Sequence, residues 1–229
     1  CTENTNMIFT IESADQDKYP ELFDEMFRMR AVVFSGRLGW DVKVENGREI
    51  DRFDAEDPLY LLSLDERSGQ LRGAVRLLPT TGPNMLRDVF SVLMPGGTVE
   101  SPLIWESSRF AVNPRIFEAR DRAKANHMVN GITVELLCGM VEVAQRAGIE
   151  HIVSVFDARM ARIFRSIDCR FEQVGTPVRI GKTMTYAGLF DMSDAMRSRL
   201  GVVGDFRSSV LADGAIPPAS ATALVANVE

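Results

Sequence analysis

The stretch NHMVNGITVELLCGMVEVAQRAGIEHIVSVF, residues 126–156, decides the fold class. Val129, Ile132, Leu136, Leu137, Met140, Val141 and Ala144 recur at helical spacing, so 126–147 reads as an amphipathic helix. Gly148 suits its end, because glycine adopts the left-handed conformation favoured just past a helix. Ile149–Phe156 then reads as a buried strand, and a long helix leading straight into such a strand indicates an α/β domain.

Downstream, Arg159–Ser166 reads as a short helix and 177–190 as one or two strands. From Leu211 the chain has Gly214, Pro217, Pro218 and many alanines without the spacing of a packed element, which predicts a loosely held tail over 211–229. Upstream, Leu59–Leu64 and Leu71–Leu78 form a predicted hairpin around Ser68-Gly69. A short helix is expected over Met85–Leu93 and a strand over 103–112. Leu22, Phe23, Met26, Phe27 and Met29 give Pro20–Arg30 a helical face. Residues 35–58, rich in Gly, Asp and Glu, read as a long ordered loop, a type of segment that often carries function. Met7 opens the first strand, and residues 1–6 read as an expression remnant or a poorly constrained extension. No repeat or linker divides the chain, so one domain over 7–210, with strands in a central sheet and helices on its faces, is the simplest account.

A balance of 26 basic against 32 acidic residues, net −6, argues against a chain-wide nucleic-acid or anionic-membrane surface. The three cysteines and two histidines show no ligand spacing, so no metal site is expected, and sparse thiols fit a reducing, cytoplasmic setting. No apolar run reaches the roughly 18 residues a membrane helix needs.

Trp105-Glu-Ser-Ser-Arg-Phe-Ala-Val112 carries a carboxylate and a guanidinium where a buried strand would carry aliphatics. Strict alternation puts Trp105, Ser107, Arg109 and Ala111 on one face and Glu106, Ser108 and Phe110 on the other. A bulge or twist is needed to bring Glu106 and Arg109 to one cleft. Six charged residues, Arg30, Asp51, Asp54, Arg76, Glu106 and Arg109, lie among apolar neighbours and sum to zero charge, as a desolvated ion-pair network would. Phe34, Trp40 and Phe53 lie nearby in sequence, and aromatic faces beside acids suit a cationic ligand. Phe34 and Phe53 are expected to fill core, and Trp40, after Gly39, to meet ligand. No phosphate-cradling glycine motif is present; Gln70-Leu-Arg-Gly73 enters a strand and is discounted. Arg159, Arg162 and Arg165, at i, i+3 and i+6, share roughly one helix face in a locally basic segment.

Together these pieces resemble the acyl-homoserine-lactone synthases, the LuxI-type autoinducer synthases of bacterial quorum sensing. The matching segments are Arg30-Ala-Val-Val-Phe34, Leu38-Gly-Trp40, Glu49-Ile-Asp51-Arg-Phe53-Asp54, Tyr60-Leu-Leu, Gly73-Ala-Val-Arg76-Leu-Leu-Pro79-Thr, Pro83-Asn-Met85-Leu and Glu106-Ser-Ser-Arg109-Phe110. The resemblance implies a three-layer α/β/α sandwich with a twisted mixed sheet, similar to the N-acyltransferases and splayed to admit a pantetheine arm. It also implies a reaction joining S-adenosylmethionine, a consumed substrate and not a cofactor, to an acyl group from acyl carrier protein, with acyl-CoA the second choice of donor. Arg30, Asp51, Asp54, Arg76, Glu106 and Arg109 become the expected catalytic set, and Phe34, Trp40, Arg109 and Phe110 the residues around S-adenosylmethionine.

A carboxylate within hydrogen-bond reach can take the proton of the attacking amine, and Glu106 is the expected base. Asp51 and Asp54 are expected to offset the sulfonium and pair with Arg30 and Arg109. The oxyanion is expected to meet a backbone N–H near Phe110–Val112 or a water. Because acyl carrier protein is acidic, the Arg159, Arg162 and Arg165 face is expected to dock it. Phe156-Asp157 lacks the hydroxyl that resembling synthases of 3-oxo products carry near this strand end, which points to an unsubstituted or 3-hydroxy chain. Two other readings are an acyl-CoA N-acyltransferase for another amine and a binding module without turnover.

Overall fold

A computed structural model describes residues 7–114, 122–213 and 216, apart from the side chains of Met7, Arg37 and 122–129. Its centre is a seven-stranded sheet built from β1 (Met7–Glu12), β4 (Leu59–Leu64), β5 (Leu71–Pro79), β6 (Ile104–Val112), β7 (His151–Asp157), β8 (Glu172–Ile180) and β9 (Thr183–Asp191) in the order β1-β4-β5-β6-β7-β9-β8. Every neighbouring pair is antiparallel except β6 and β7. That parallel pair needs a crossover, which α3 (Arg122–Arg146) supplies. The helix starts earlier than its apolar pattern indicated and ends before Gly148, whose φ of +70° is the expected left-handed stop.

α3, α4 (Ala158–Ser166) and α5 (Asp194–Gly204) cover one face, where Val75, Leu77, Ile132, Leu136, Phe156, Phe164 and Leu200 join one core. On the other face α1 (Pro20–Ala31) packs Phe23, Met26 and Phe27 against Tyr60, Leu62 and Ala74. The short α2 (Met85–Asp88) and a 3-10 turn, Ser91–Leu93, lie on that same face over Val153 and Ala187. The result is the three-layer α/β/α sandwich with a mixed sheet. Gly73 sits inside β5, where an added Cβ would lie 3.0 Å from Leu136 and 3.1 Å from the Ala111 carbonyl, so this glycine serves close packing of α3 on the sheet.

Four sequence expectations need correction. The 35–58 loop holds a π-helical turn (Val32–Arg37), a hairpin of β2 (Val44–Glu45) and β3 (Arg48–Glu49), and a 3-10 turn (Arg52–Ala55). Two-residue strands are too short to show a period. The last strands begin at Glu172, because a bulge around Gly175 and Pro177 interrupts their pattern. No helix was expected at α5, whose inward stripe is little more than Met196 and Leu200. Finally, Leu211 is not part of a loose tail. Ile8 donates to the Val210 carbonyl at 2.8 Å, Ala212 donates to that of Ile8 at 2.9 Å, and Glu142 accepts from the backbone of Val210 and Leu211. The expectations for residues 1–6 and for the rest of the tail fall outside the described residues, Ala212, Asp213 and Ile216 excepted.

Candidate active site

The last turn of α1, β3, the 3-10 turn after Asp51, and strands β5 and β6 bring their charged side chains to one buried layer, to which β4 adds Tyr60. Arg30 donates from Nε to Glu49 at 2.6 Å and from its two Nη atoms to Asp54 at 2.8 and 2.9 Å. Arg76 reaches Asp51 at 2.6 Å and Asp54 at 2.8 Å, while its Nε donates to the Ser108 hydroxyl at 3.1 Å. Arg109 contacts Glu49 at 2.9 Å and Asp51 at 2.7 Å. The Tyr60 hydroxyl completes Asp54 with a donation at 2.7 Å. Forked guanidinium–carboxylate pairs of this kind repay much of the desolvation that makes buried charges costly. Burial pulls Asp54 upward, but Arg30 and Arg76 outweigh it and hold the carboxyl well below the usual range.

The same acids shape the loop that carries them. Asp51 caps the 3-10 turn by accepting from Phe53 N at 2.9 Å, and Asp54 accepts from Asp51 N at 2.8 Å. All six charged residues anticipated for the site therefore share one neighbourhood. Glu49, quoted within a motif but given no role, is a seventh member and is almost wholly buried. Its sequence signal was weak because its hairpin neighbours Val44, Glu45 and Arg48 are exposed. Three arginines against Glu49, Asp51, Asp54 and Glu106 give +3 − 4 = −1 with Glu106 ionised, in place of the zero sum expected from six.

Glu106 and Arg109 share a face because β6 is bulged. Ala74 pairs with Ala111 and Arg76 with Ser108, so Arg109 and Phe110 together oppose Val75, and Arg109 takes a φ of +53°. The parity of the strand changes there. Glu106, Ser108, Arg109 and Ala111 face the ionic layer, whereas Trp105 and Phe110 pack into the α3 core. Strict alternation was thus wrong for Arg109, Ala111 and Phe110, and Phe110 belongs to the core under α3.

Glu106 is 1% exposed. Its two oxygens accept from Met85 N at 2.9 Å and Leu86 N at 2.6 Å. Burial pushes its carboxyl up to about 7, although those two N–H groups, then Arg76 and Arg109, oppose the shift. Nη1 of Arg109 reaches Met85 Sδ at 3.2 Å, so acid and guanidinium meet at the same methionine. A carboxyl near neutrality can both take and return a proton.

Phe34 lies in the π-helical turn, a distortion found often at functional sites. It fills core as expected, with the Arg109 guanidinium 5.3 Å from its ring centre. Trp40 stacks on it at 5.3 Å and 20° and keeps 37% of its surface exposed, leaving an aromatic platform at the edge of the layer. Phe53 is buried beneath Arg76.

β6 and β7 pair only from Ile104–His151 to Ser107–Ser154, then part, so among the described residues β6 beyond Ser107 has no strand on that side. Ser154 Oγ donates to the Ser107 carbonyl at 3.0 Å where they separate. A hydroxyl therefore stands on β7 at the opening, while Phe156 is buried among Phe164, Phe171 and Phe190. Arg159, Arg162 and Arg165 are exposed on α4, with no ion pair among the described residues. Cys138 and Cys169 are buried thiols pushed up to about 12, suited to packing and not to attack. Among the described residues no cluster could hold a metal ion, and no helix is long and apolar enough to cross a membrane.

The autoinducer synthase family model matches residues 15–200. An acyl-homoserine-lactone synthase of Rhizobium etli is 39% identical over 193 residues, covering 81% of this chain and 84% of its own. Among solved structures, the CoA-dependent acyl-homoserine lactone synthase MesI is 26% identical with a TM-score of 0.76, covering 90% of this chain and all of its own (100%). The CoA-dependent synthase BjaI, with SAM and isopentyl-CoA, is 27% identical with a TM-score of 0.76, covering 96% and 99%. An N-acyl amino acid synthase from uncultured soil microbes, at 12% identity and a TM-score of 0.50 over 76% of this chain and 88% of its own, shares the fold alone.

Proposed function

The chain belongs to the autoinducer synthase family as an acyl-homoserine-lactone synthase, an acyltransferase of quorum sensing, and from that premise we propose how its own residues run the reaction. The substrates are S-adenosylmethionine, consumed in each turnover, and an acyl thioester on acyl carrier protein. The observation that carries this reading is the charge of the buried layer, −1 with Glu106 ionised, beside an exposed aromatic platform at Trp40. S-adenosylmethionine with its amine protonated carries a sulfonium, an ammonium and a carboxylate, net +1. Transfer of one proton from that amine to Glu106 neutralises both.

The free amine then attacks the thioester carbonyl, forming the amide nitrogen–carbon bond. Backbone N–H groups of β6 beyond Ser107, where β7 has parted, face the developing oxyanion. Collapse breaks the carbon–sulfur bond, the carrier thiolate leaves with the proton that Glu106 returns, and the regenerated carboxylate takes the second proton that the nitrogen sheds as the amide forms. In the second stage the substrate carboxylate attacks its own γ-carbon, the sulfonium leaves as neutral methylthioadenosine, and the lactone closes. That step needs positioning more than acid or base. Asp51 and Asp54, with Arg30, Arg76 and Arg109, hold the walls in place.

The exposed arginine face on α4 supports the carrier protein as donor. Acyl-CoA is the second reading, favoured by the likeness to the CoA-dependent MesI and BjaI. With either donor, the reading is of a reaction that runs in the cytoplasm. Incubation with S-adenosylmethionine and a panel of acyl carrier protein and acyl-CoA donors, followed by mass spectrometry, tests it. The expected product is an N-acyl homoserine lactone with methylthioadenosine. Turnover from acyl-CoA alone would select the second reading, and no lactone from any donor would overturn both.

A further inference from the structure

We propose that Asn84 is a positioning residue for Glu106, fixing the backbone donors that set its basicity. The inference rests on Glu106 as the base.

The first turn of a helix leaves its N–H groups without intrahelical partners. In α2 these are shared between two side chains. Asn84 Oδ1 accepts from Arg87 N at 3.0 Å, while Glu106 takes Met85 N and Leu86 N. The Asn84 carbonyl accepts the first intrahelical bond, from Asp88 N at 3.0 Å. Asn84 is itself 1% exposed and anchored from behind, where its Nδ2 donates to the carbonyls of Gly82 at 3.0 Å and Thr80 at 3.3 Å. Thr80, fully buried, ties that loop to β6 through the carbonyls of Ser101 and Ile104. A helix of four residues has little stability of its own. Its aim at Glu106 therefore comes from this anchored cap.

The other charges around Glu106 are Arg76 on β5 and Arg109 on β6, with Glu49, Asp51 and Asp54 on their far sides. On β7 its neighbour is the apolar Val153, and on α2 Arg87 and Asp88 pair with each other. Loss of the cap removes none of these charges and acts on the Glu106 carboxylate through the two N–H donors, which favour its ionised form.

The test is the pH profile of kcat/KM for Asn84→Ala, with Asn84→Gly as a second variant because glycine is well tolerated at a cap, and Asn84→Ser as the rescue that restores an acceptor. The acid limb should move to higher pH by about one unit in the Ala and Gly variants. Activity should return to within about two-fold of the parent near pH 9, where Glu106 is ionised regardless, and the Ser variant should restore most of the limb. A uniform loss at every pH, or an unmoved limb in both variants, would overturn the inference. Glu106→Gln is assayed beside them: near-normal turnover there would remove Glu106 as base, whereas an inactive Glu106→Gln with an unmoved limb sinks only the role of Asn84.

Discussion

Arg30 and Asp54 meet as two forks, Nη1 to Oδ1 at 2.8 Å and Nη2 to Oδ2 at 2.9 Å, and Arg76 shares the same Oδ1 at 2.8 Å. Two guanidinium groups on different elements thus depend on one carboxylate. Asp54→Asn keeps the shape and removes the charge, leaving both cations short of a counter-ion in a buried layer. A loss of about 3–5 kcal/mol in urea unfolding is expected. Tyr60→Phe, which removes one donor from that carboxylate, should cost only about 1 kcal/mol.

Glu106 and Asp54 give stability opposite pH dependences. Burial raises the Glu106 carboxyl from 4.5 to about 7, so between those values the folded protein keeps a proton that the unfolded chain has lost. Stability falls as pH rises through that window. Glu106→Gln stays neutral and should gain on the parent between pH 5 and 8, by as much as ~3 kcal/mol in denaturant titrations. Glu135, also raised by burial, leaves a residual slope of the same sign in the variant. Asp54, held low, contributes stability above the ordinary carboxylate value of 3.8 that is lost as pH falls. Asp54→Asn should remove that acid-side loss; an unchanged acid limb would exclude Asp54 as its source.

Trp40 stacks on a buried Phe34 while presenting free surface. Trp40→Ala should raise KM for S-adenosylmethionine roughly 3- to 30-fold, the worth of a cation–π contact, with little effect on unfolding. Trp40→Phe should recover part of the affinity. Equal KM values for both variants and the parent would place the ligand elsewhere.

Charge reversal at Arg159 and Arg162 tests the carrier-protein face. The double Glu variant should raise KM for acyl carrier protein several-fold, chiefly through slower association and with a weaker dependence on salt. KM for S-adenosylmethionine should hold. Parallel increases in both would count against docking on α4.

Gly175 has a φ of +67°, and a Cβ there would lie 2.0 Å from the Leu93 carbonyl. Gly175→Ala must move either the β8 bulge or the 3-10 turn beneath it. We expect a cost of roughly 2–4 kcal/mol, measured by thermal or urea unfolding.

The sequence made the fold legible where periods were long. The helix ending at Gly148, the hairpin of β4 and β5, and α4 follow from runs of apolar spacing. The six charges of the site were legible for another reason: isolated arginines and acids among aliphatics stand out. What stayed hidden was short or relational. Glu49 sits in a two-residue strand whose neighbours are exposed, and α5 turns only Met196, Leu200 and Gly201 inward. The bulge at Arg109 was visible as a need, since Glu106 and Arg109 required one face, but not as a position. Its place is set by pairing with β5, which no local pattern of β6 encodes.

The extra residue in β6 lets a single rung of the sheet serve both faces. Removing one residue at 109–110 would leave one residue opposite Val75 and a regular ladder with β5, with Ser108 still opposite Arg76 and Ala111 still opposite Ala74. Glu106 would keep its face and its donors on α2, but the residue left opposite Val75 would point to the core beneath α3. The strand could then no longer offer Arg109 to the ionic layer and Phe110 to that core, and Glu49 and Asp51 would lose the cation they share. Transplanting this site to another sheet would therefore require carrying the irregularity along with the side chains.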